Sequence, residues 1–482
     1  MEIVFVGLTF LVLFAIINVL IWSRINFGWL QNSVKYLIWS LPFEWFPRLD
    51  IGGAGFRLSQ GLVLVCFWFL LVLSIKRDTS LLQQKFSKLG WSLPIFVILS
   101  SPSWLNILNF NRFFVHFNGT ILCFGAAFLI ASFESNVYQR LKELSLVIFF
   151  TAIFGIYQYI ADLVGIPPAL TGLREQYTKI VFGVPRVQGT AIEPLYFAGM
   201  LMIPILFLGI KSTFEILTQK ITLNNNFKLS LDHKDFVPSI VDFVTSEKLF
   251  PNLLKLTFIL FIFILTLSKG TFGVLFLIVI LFGVFAIFYF KNLRLLLKKF
   301  GLITFIILFW SIAGLSNSVD PIVLTGEIGK NFVETITGTS SSAKDRSSFL
   351  NEALRHIPEQ GLVGIGMGQY GTYVGDDLGG LNVENQAIVN NVYIEVLLEE
   401  GLFALIWFLM ILITPLFSML SIIRSKNFAQ KKELIAAVSI FFILIGYYLQ
   451  WNLFSPIFIM PIFIILGLSY NLSESKKVVD AK

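Results

Sequence analysis

Residues 251–290 read PNLLKLTFILFIFILTLSKGTFGVLFLIVILFGVFAIFYF, a stretch that is almost wholly apolar. A helix that crosses the hydrocarbon core of a bilayer needs about 20 residues, so this stretch is long enough for two crossings. Its polar break is Ser268-Lys269-Gly270, near the middle. The sequence therefore predicts two membrane helices joined by a tight turn that carries a cation.

The whole chain shares this apolar character. It has 482 residues, of which 56% are hydrophobic and 13% charged, and its mean hydropathy is +0.80. A water-soluble domain needs more polar surface, so the composition predicts an integral membrane protein. Membrane proteins are commonly basic through their cytoplasmic loops, so the net charge of +7 is not a sign of nucleic-acid binding. Cys66 and Cys123 lie in apolar runs and have no metal-ligand spacing.

The apolar pattern predicts an all-α polytopic membrane protein with twelve spans. These are 3–22, 58–75, 90–109, 113–133, 143–164, 191–210, 251–268, 271–290, 301–318, 403–422, 433–450 and 453–470. The third is the weakest because Pro94 and Pro102 interrupt it, and the first has no cleavage site and is expected to be retained. Residues 26–57 mix aromatic and polar side chains, which favours a segment lying in the headgroup layer.

The basic residues predict the orientation. With the N-terminus inside, 22 of the 36 Lys and Arg residues fall in inner loops and 13 outside. The excess of positive charge on the cytoplasmic side therefore predicts that both termini are cytoplasmic. The chain then divides into spans 1 to 9 in residues 1–315, one large outer loop in 316–402, and spans 10 to 12 with a cytoplasmic tail in 403–482.

Two cations are placed at the outer membrane surface by this orientation. Lys269 lies at the start of a helix, where an intramembrane cation is a candidate functional group, although a lysine snorkelling to lipid phosphates has the same pattern. Arg186 lies just outside the sixth span and offers a planar fork suited to phosphate. An interfacial arginine bound to headgroups is the alternative for Arg186.

The outer loop contains a predicted amphipathic helix from Lys344 to Ile357, ended by Pro358. At about 100° per residue, Arg346 shares a face with four apolar residues and Arg355 lies on the opposite face. The four are Leu350, Ala353, Leu354 and Ile357. We expect Arg346 to point toward the protein and Arg355 toward water.

Other polar residues have more than one interpretation. His356 lies at the edge of the apolar face and is a candidate base, although a surface histidine is more common, and His116 within a span is expected to be structural. Gly366-Met367-Gly368-Gln369-Tyr370-Gly371 matches G-x-G-x-x-G, but no strand–helix unit surrounds it. A loop turn is therefore expected there rather than a dinucleotide site.

Four short motifs follow one another within residues 183–410. They are Arg186-Val187-Gln188-Gly189 before Pro194, Thr266-Leu267-Ser268-Lys269-Gly270, Arg346 to Leu354 before Gly364-Ile365-Gly366-Met367-Gly368, and Asn390-Asn391-Val392-Tyr393-Ile394-Glu395 before Glu399 and Gly401. In this order they resemble motifs of the O-antigen polymerase / O-antigen ligase superfamily, bacterial membrane glycosyltransferases. Lysine stands at 269 where the family has arginine, and Asn390 stands where it has histidine.

The resemblance implies a GT-C-like enzyme of the bacterial inner membrane. Its donor would be an oligosaccharide on a polyprenyl diphosphate, transferred to an acceptor sugar hydroxyl on the outer side, with no nucleotide and no metal required. Membrane lipids and a chain-length regulator are the other expected partners. We expect catalysis at four positions and substrate binding at four more, all within the motifs except His356, which is included for its place on the predicted loop helix. The catalytic candidates are Arg186, Lys269, Arg346 and Asn390; the binding candidates are Asn391, Tyr393, Glu395 and His356.

Asn390 changes the expected chemistry, because asparagine cannot act as a general base at neutral pH. Ligases depend more on the family's histidine, so its replacement favours a polymerase. His356, Glu384 and Glu395 remain candidates for the base. A ligase that transfers glycan to a lipid or protein, and a flippase for lipid-linked oligosaccharides, are the alternative functions.

Overall fold

The computed structural model describes most of the helical chain. The described residues are 22, 24–43, 48–51, 54–84, 86–172, 186–191, 193–224, 250–289, 341–374, 389, 391–425, 431–450 and 460–480. Within them the α-helices are α1 Phe27–Trp39, α2 Leu58–Ile75, α3 Thr79–Leu82, α4 Ser92–Ser100, α5 Phe110–Phe133, α6 Val137–Leu163, α7 Pro168–Thr171, α8 Pro194–Asn224, α9 Phe250–Leu265, α10 Lys269–Tyr289, α11 Ser341–Gln360, α12 Tyr370–Val374, α13 Val392–Glu400, α14 Leu402–Ser425, α15 Lys431–Leu449 and α16 Met460–Asp480. Short 3-10 helices cover Leu41–Phe43, Lys88–Trp91 and Ser101–Asn106.

Six of these helices are long and apolar enough to cross a membrane, so the chain is a helical membrane protein. They are Leu58–Ile75, Phe110–Phe133, Val137–Leu163, Pro194–Glu215, Leu402–Ser425 and Lys431–Leu449. The forty-residue apolar stretch forms two shorter apolar helices, Pro251–Leu265 and Gly270–Ala286, as the break at Ser268 predicted. The predicted spans 3–22 and 301–318 lie outside the described residues.

Two predicted spans differ from the structure. The third, 90–109, is not one continuous helix: α4 has nine residues and lies between two 3-10 helices. Pro102, at the start of the second 3-10 helix, has no N–H to donate, which agrees with the end of α4 there. The helix at the predicted span 453–470 continues beyond its predicted end, because α16 covers Met460–Asp480, and residues 453–459 lie outside the described part of the chain.

The segment at 26–57 has more regular structure than its composition indicated. α1 buries Leu30, Val34 and Leu37 completely and packs against α2, α5 and α6. A two-stranded antiparallel hairpin follows, β1 Arg48–Ile51 and β2 Ala54–Arg57, with Arg48 opposite Arg57. The regular secondary structure of the described residues is therefore helical apart from this hairpin. The position of α1 in the headgroup layer stays a prediction.

α5 and α16 pack closely against each other. A Cβ on Gly467 would lie 2.8 Å from the main-chain oxygen of Ala127, so the glycine permits this approach. The rings of Phe124 and Phe463 lie 4.8 Å apart beside it. Helices in a bilayer associate by such contacts, since lipid tails are as apolar as the side chains.

Hydrogen bonds between elements define two ends of the bundle. One of them is called the loop end. It contains the first residues of α5, α8, α10 and α14, which lie close to the last residues of α6, α9 and α15. At the other, the basic end, the end of α5 meets the start of α6 and Asn471 in the C-terminal half of α16. Lys211 lies near Lys142, Lys255 and Lys431 at this end. This concentration of basic residues is the pattern that predicted a cytoplasmic side.

Candidate functional site

Arg186 contacts the turn between α9 and α10. Its Nε donates a hydrogen bond to the carbonyl of Thr266 at 3.2 Å. The next residue, Val187, donates from its main-chain N–H to Leu265 at 3.2 Å. Two motifs that lie 80 residues apart in the sequence are therefore in direct contact, and we call this contact region the junction.

The turn itself has an unusual backbone. Leu267 adopts φ of 48°, a left-handed conformation that is uncommon for a leucine. The hydroxyls of Ser268 and Thr271 are 3.0 Å apart across the start of α10. Lys269 is the first residue of α10, three positions after the carbonyl that Arg186 contacts, while its side chain lies outside the described part of the chain.

Gln158 of α6 holds the junction in place, and the sequence reasoning missed it. Its Oε1 accepts from the N–H of Gly189 at 2.7 Å, and its Nε2 donates to the carbonyls of Gly189 at 2.9 Å and Thr171 at 3.1 Å. Gly189 has φ of 58°, and a Cβ there would lie 2.3 Å from the Phe197 ring. A buried amide within a predicted span was the signal that could have identified Gln158.

The glycine-rich segment Gly361–Gln369 is a loop of turns, as predicted, and we call it the glycine loop. Gly364, Gly366 and Gly368 have φ of 95°, 102° and 74°, values that favour glycine. A Cβ on Gly364 would lie 2.5 Å from the main-chain oxygen of Glu399. Glycine is thus required both for the backbone angle and for the close approach of α13.

Glu399 holds one side of the glycine loop through backbone donors. Its Oε2 accepts from the N–H of Gly368 at 2.7 Å, and its Oε1 accepts from Tyr370 at 2.9 Å. Its main-chain oxygen also accepts from Gly366 at 2.9 Å. A carboxylate that accepts with both oxygens from two main-chain N–H groups, two residues apart, determines the local conformation of that backbone.

Gln369 holds the other side of the glycine loop against the start of α5. Its Oε1 accepts from the N–H of Leu108 at 3.0 Å and of Asn109 at 2.6 Å, and its Nε2 donates to Asn109 at 3.0 Å. Asn106 donates to the carbonyl of Gly364 at 2.8 Å. The glycine loop is therefore fixed between α5 and α13.

Three carboxyl groups of α13 are buried beside this loop. Glu395, Glu399 and Glu400 are 3%, 2% and 3% exposed. Burial raises the pKa of Glu399 to about 7, against the lowering effect of the two backbone hydrogen bonds and of Arg112. Burial also raises the pKa of Glu395 and of Glu400 well above the usual range, and each gains a further increase from Glu399.

Arg112 is a loop-end cation that the sequence analysis did not single out. It lies in the first turn of α5 and its charge acts on Glu395 and Glu399. His116, one turn further along α5, packs against Gly368, because a Cβ there would lie 2.8 Å from the imidazole ring. The arginine thus supplies positive charge to a cluster of acids that would otherwise repel one another.

Asn391 and Tyr393, predicted to bind substrate, have local structural contacts. Asn391 is the N-cap of α13, and its Oδ1 accepts from the N–H of Tyr393 at 3.1 Å and of Ile394 at 3.3 Å. The Tyr393 hydroxyl donates to the carbonyl of Tyr448 at 3.0 Å, and burial raises its pKa to about 12. Asn390 lies outside the described residues, as does Glu384.

The predicted loop helix exists but is longer than expected. It is α11, which begins at Ser341 and ends at Gln360, so Pro358 lies inside its last turn and does not end it. Ala353 is completely buried, whereas Leu354 is 44% exposed and does not belong to the buried face as predicted. The backbone of Arg346 lies in α11, and its side chain is outside the described part of the chain.

Arg355 and His356 both lie near Glu352 on α11. Arg355 donates from Nη1 to Glu352 at 2.9 Å and its side chain is 75% exposed, in agreement with the expectation of a solvated charge. His356 Nε2 lies 3.5 Å from the other Glu352 oxygen, and its ring is edge-on to Tyr373 with centroids 5.0 Å apart. His356 therefore packs at the edge of the α11 interface.

The junction and the glycine loop lie at the same end of the bundle. A short series of contacts connects them, since Tyr393 bonds to Tyr448 of α15 and the neighbouring Tyr447 donates to Gly199 of α8 at 3.4 Å. Gly199 lies in the second turn of α8, just after the Arg186 segment. Among the described residues no group of His, Cys, Asp and Glu has the arrangement of a metal site.

No protein-family model matches the chain, and no curated protein matches it. The resemblance of the four motifs rests on the residues themselves.

Proposed function

We propose that this protein is a membrane glycosyltransferase that polymerises lipid-linked oligosaccharide repeat units on the outer face of the bacterial inner membrane. The product would be an O-antigen, capsule or exopolysaccharide. The observation that carries the proposal is the contact of Arg186 with Thr266, which brings two of the cation-bearing motifs together at the loop end. The glycine loop and α13, which contain the other motifs, belong to the same end.

The reaction breaks the bond between the donor sugar C1 and the diphosphate oxygen and forms a bond from the acceptor hydroxyl oxygen to C1. The electron pair of the broken bond leaves with the polyprenyl diphosphate, and the hydroxyl proton goes to a base or to water. Negative charge therefore develops on the diphosphate. Arg186, Lys269 and Arg346 would stabilise this charge more in the transition state than in the bound substrate.

The test is reconstitution of the purified full chain in liposomes. The substrate is the lipid-linked repeat unit extracted from cells in which the gene is deleted, and the products are separated by size on a gel. We expect a ladder of products from the intact protein and single repeat units from Arg186→Ala. Arg355→Ala is the matched control, because that arginine is exposed and paired with Glu352.

The same assay distinguishes the alternatives. Transfer of a repeat unit to an added lipid acceptor without elongation would make the protein a ligase. Movement of the intact lipid-linked unit across the bilayer, without a new glycosidic bond, would make it a flippase. Either result would overturn the proposal.

A further inference from the structure

A series of side-chain hydrogen bonds runs from α13 through the glycine loop to α11. Glu399 accepts from the main-chain N–H groups of Gly368 and Tyr370. The Tyr370 hydroxyl then donates to the main-chain oxygen of Phe349 at 2.6 Å. Phe349 lies one turn after Arg346 on α11, so the backbone position of Arg346 depends on a contact that Glu399 orients.

The residues of this series are buried, which restricts their alternatives. Tyr370 is 2% exposed and packs with Ala353 of α11 and Leu398 of α13 in one apolar cluster. A buried main-chain N–H without an acceptor is unfavourable, because it has lost its hydrogen bond to water and gained none in the protein. Loss of the Glu399 carboxylate would therefore release the N–H groups of Gly368 and Tyr370 and allow the loop to shift.

We propose that Glu399 is a positioning residue that fixes α11, and with it Arg346, over the loop end through Gly368 and Tyr370. The effect on catalysis that we infer depends on the proposed function. A displacement of about 1 Å in a group that stabilises a transition state can cost about a hundredfold in rate. Glu399 would thus be the residue that holds α11, the helix of Arg346, in position.

Glu400 provides a matched control for Glu399. The two residues are adjacent on α13 and equally buried, at 3% and 2% exposed. Glu400 Oε2 has no hydrogen-bond partner among the described residues, whereas both oxygens of Glu399 accept from the loop. Glutamine has the shape of glutamate, but its amide group would place a donor against one of the two N–H donors at position 399.

The first experiment measures hydrogen exchange of the main-chain amides in the purified full chain. We expect Glu399→Gln to increase exchange in residues 364–374 and in α11, and Glu400→Gln to leave both close to the wild type. Tyr370→Phe removes the bond to Phe349, so it should increase exchange in α11 with a smaller effect on residues 364–369. Unchanged exchange in α11 for Glu399→Gln would overturn the proposal, whatever the enzyme does.

The second experiment is a double-mutant cycle on the rate of polymerisation. We expect Glu399→Gln to lower kcat about tenfold or more, with a KM for the lipid-linked donor within about twofold of the wild type. In an Arg346→Ala background the same change should have little further effect, because it acts through Arg346. If the two substitutions lower kcat independently, so that their effects multiply, Glu399 has a structural role that does not involve Arg346.

The two experiments separate failure of this inference from failure of the proposed function. An intact protein that shows no polymerisation would reject the proposed function, while hydrogen exchange would still decide whether Glu399 fixes α11. A normal ladder from Glu399→Gln, together with increased exchange in α11, would reject the catalytic consequence. Tyr370→Phe should repeat the loss in kcat, and a normal kcat in that variant would contradict the proposed path.

Discussion

Buried carboxylates lie at both ends of the bundle, and the two ends satisfy them with different donors. At the basic end Glu134 accepts from Arg140 Nε at 2.8 Å and from the N–H groups of Ser135 and Asn136 at 2.9 Å each. At the loop end Glu399 accepts from two N–H groups of the glycine loop, with Arg112 as a nearby charge. The first arrangement joins two helix ends, whereas the second determines the shape of a loop.

This difference separates stability from catalysis. An ion pair at a helix junction holds elements that are already rigid, so its loss should change the free energy of unfolding and leave the chemistry intact. A carboxylate bound to a loop beside the proposed site should change the chemistry as well.

The largest expected effect is on stability at the basic end. Arg140→Ala leaves Glu134, whose side chain is 3% exposed, without its arginine partner. Removing one partner of a buried ion pair costs about 3 kcal/mol or more, so thermal unfolding in detergent should occur at a clearly lower temperature. Lys142→Ala, an exposed lysine two residues away, is the control and should unfold like the wild type. A lower polymerisation rate per folded molecule in Arg140→Ala would contradict the expectation that the basic end contributes to stability and not to catalysis.

The sequence predicts the long apolar helices well. α2, α5 and α14 lie within a few residues of their predicted spans, because a bilayer crossing needs a long apolar run and such runs are visible in one dimension. The segment at 90–109 differs from its prediction in being helical with a change of type, since a nine-residue α-helix lies between two 3-10 helices and Pro102 lies just after its end. The predicted turn at Ser268 was correct for the same reason as the helices.

The candidate site was predicted less completely. Motif order identified Arg186 and the turn at Lys269, but their contact depends on packing between helices that the sequence does not specify. Gln158 and the role of Glu399 were missed, because each acts on main-chain groups far away in the sequence. Asn391 was predicted to bind substrate, and its cap on α13 is a local function that its place before Val392 could have indicated.

The next effect is on catalysis at the junction. Lys269→Ala should lower the polymerisation rate about a hundredfold, about 3 kcal/mol of barrier, because the proposed function assigns this cation to the departing diphosphate. Lys269→Arg should retain much of the activity, since the charge remains. The glycan ladder is compared at equal protein level in the membrane. Full activity in Lys269→Ala would indicate that this lysine only anchors its helix to lipid headgroups. The assignment of catalysis to the loop end and of stability to the basic end would then lose support.

A smaller loss is expected from the backbone of the glycine loop. Gly364→Ala must adopt φ of 95° with a Cβ 2.5 Å from the main-chain oxygen of Glu399. A non-glycine residue in such a conformation costs about 1–2 kcal/mol before any displacement of α13. Gly209→Ala in α8 is the control, because its Cβ meets nothing within 4 Å. Thermal unfolding should occur earlier for Gly364→Ala and unchanged or later for Gly209→Ala; equal behaviour would mean that the loop adapts freely.

The buried acids predict that stability depends on pH. The pKa of Glu399 is raised from 4.5 to about 7, so the folded state holds a proton that the unfolded state releases above pH 4.5. The stabilisation is complete below about pH 4.5 and is lost as the pH rises to about 7. The pKa values of Glu395 and Glu400 are also raised, so their ionisation also lowers the stability of the folded state as the pH rises.

The charged and titratable groups that act on these acids from other elements are Arg112 of α5 and Tyr370 of α12. Tyr370 is in turn influenced by Glu352 of α11. With about 1.4 kcal/mol for each pKa unit, we expect a loss of about 2 kcal/mol between pH 5 and pH 8. Unfolding temperature is measured across this range. Glu399→Gln should give a shallower dependence; a steeper or unchanged curve would mean that Glu399 titrates in its usual range.

The smallest effect is expected from Arg355, and it tests the geometry of α11 itself. Arg355 is 75% exposed and pairs with Glu352 one turn away. An exposed pair of this kind contributes at most about 1 kcal/mol, because water and salt screen it. Arg355→Ala should therefore give a near-normal glycan ladder and an almost unchanged unfolding temperature, while Arg346→Ala at equal expression leaves single repeat units. Both positions lie on one helix and lose the same side chain, so the comparison isolates the face on which the arginine lies. Equal losses, or a larger loss for Arg355→Ala, would place the reacting diphosphate on the other face of α11 and would remove Arg346 from the site.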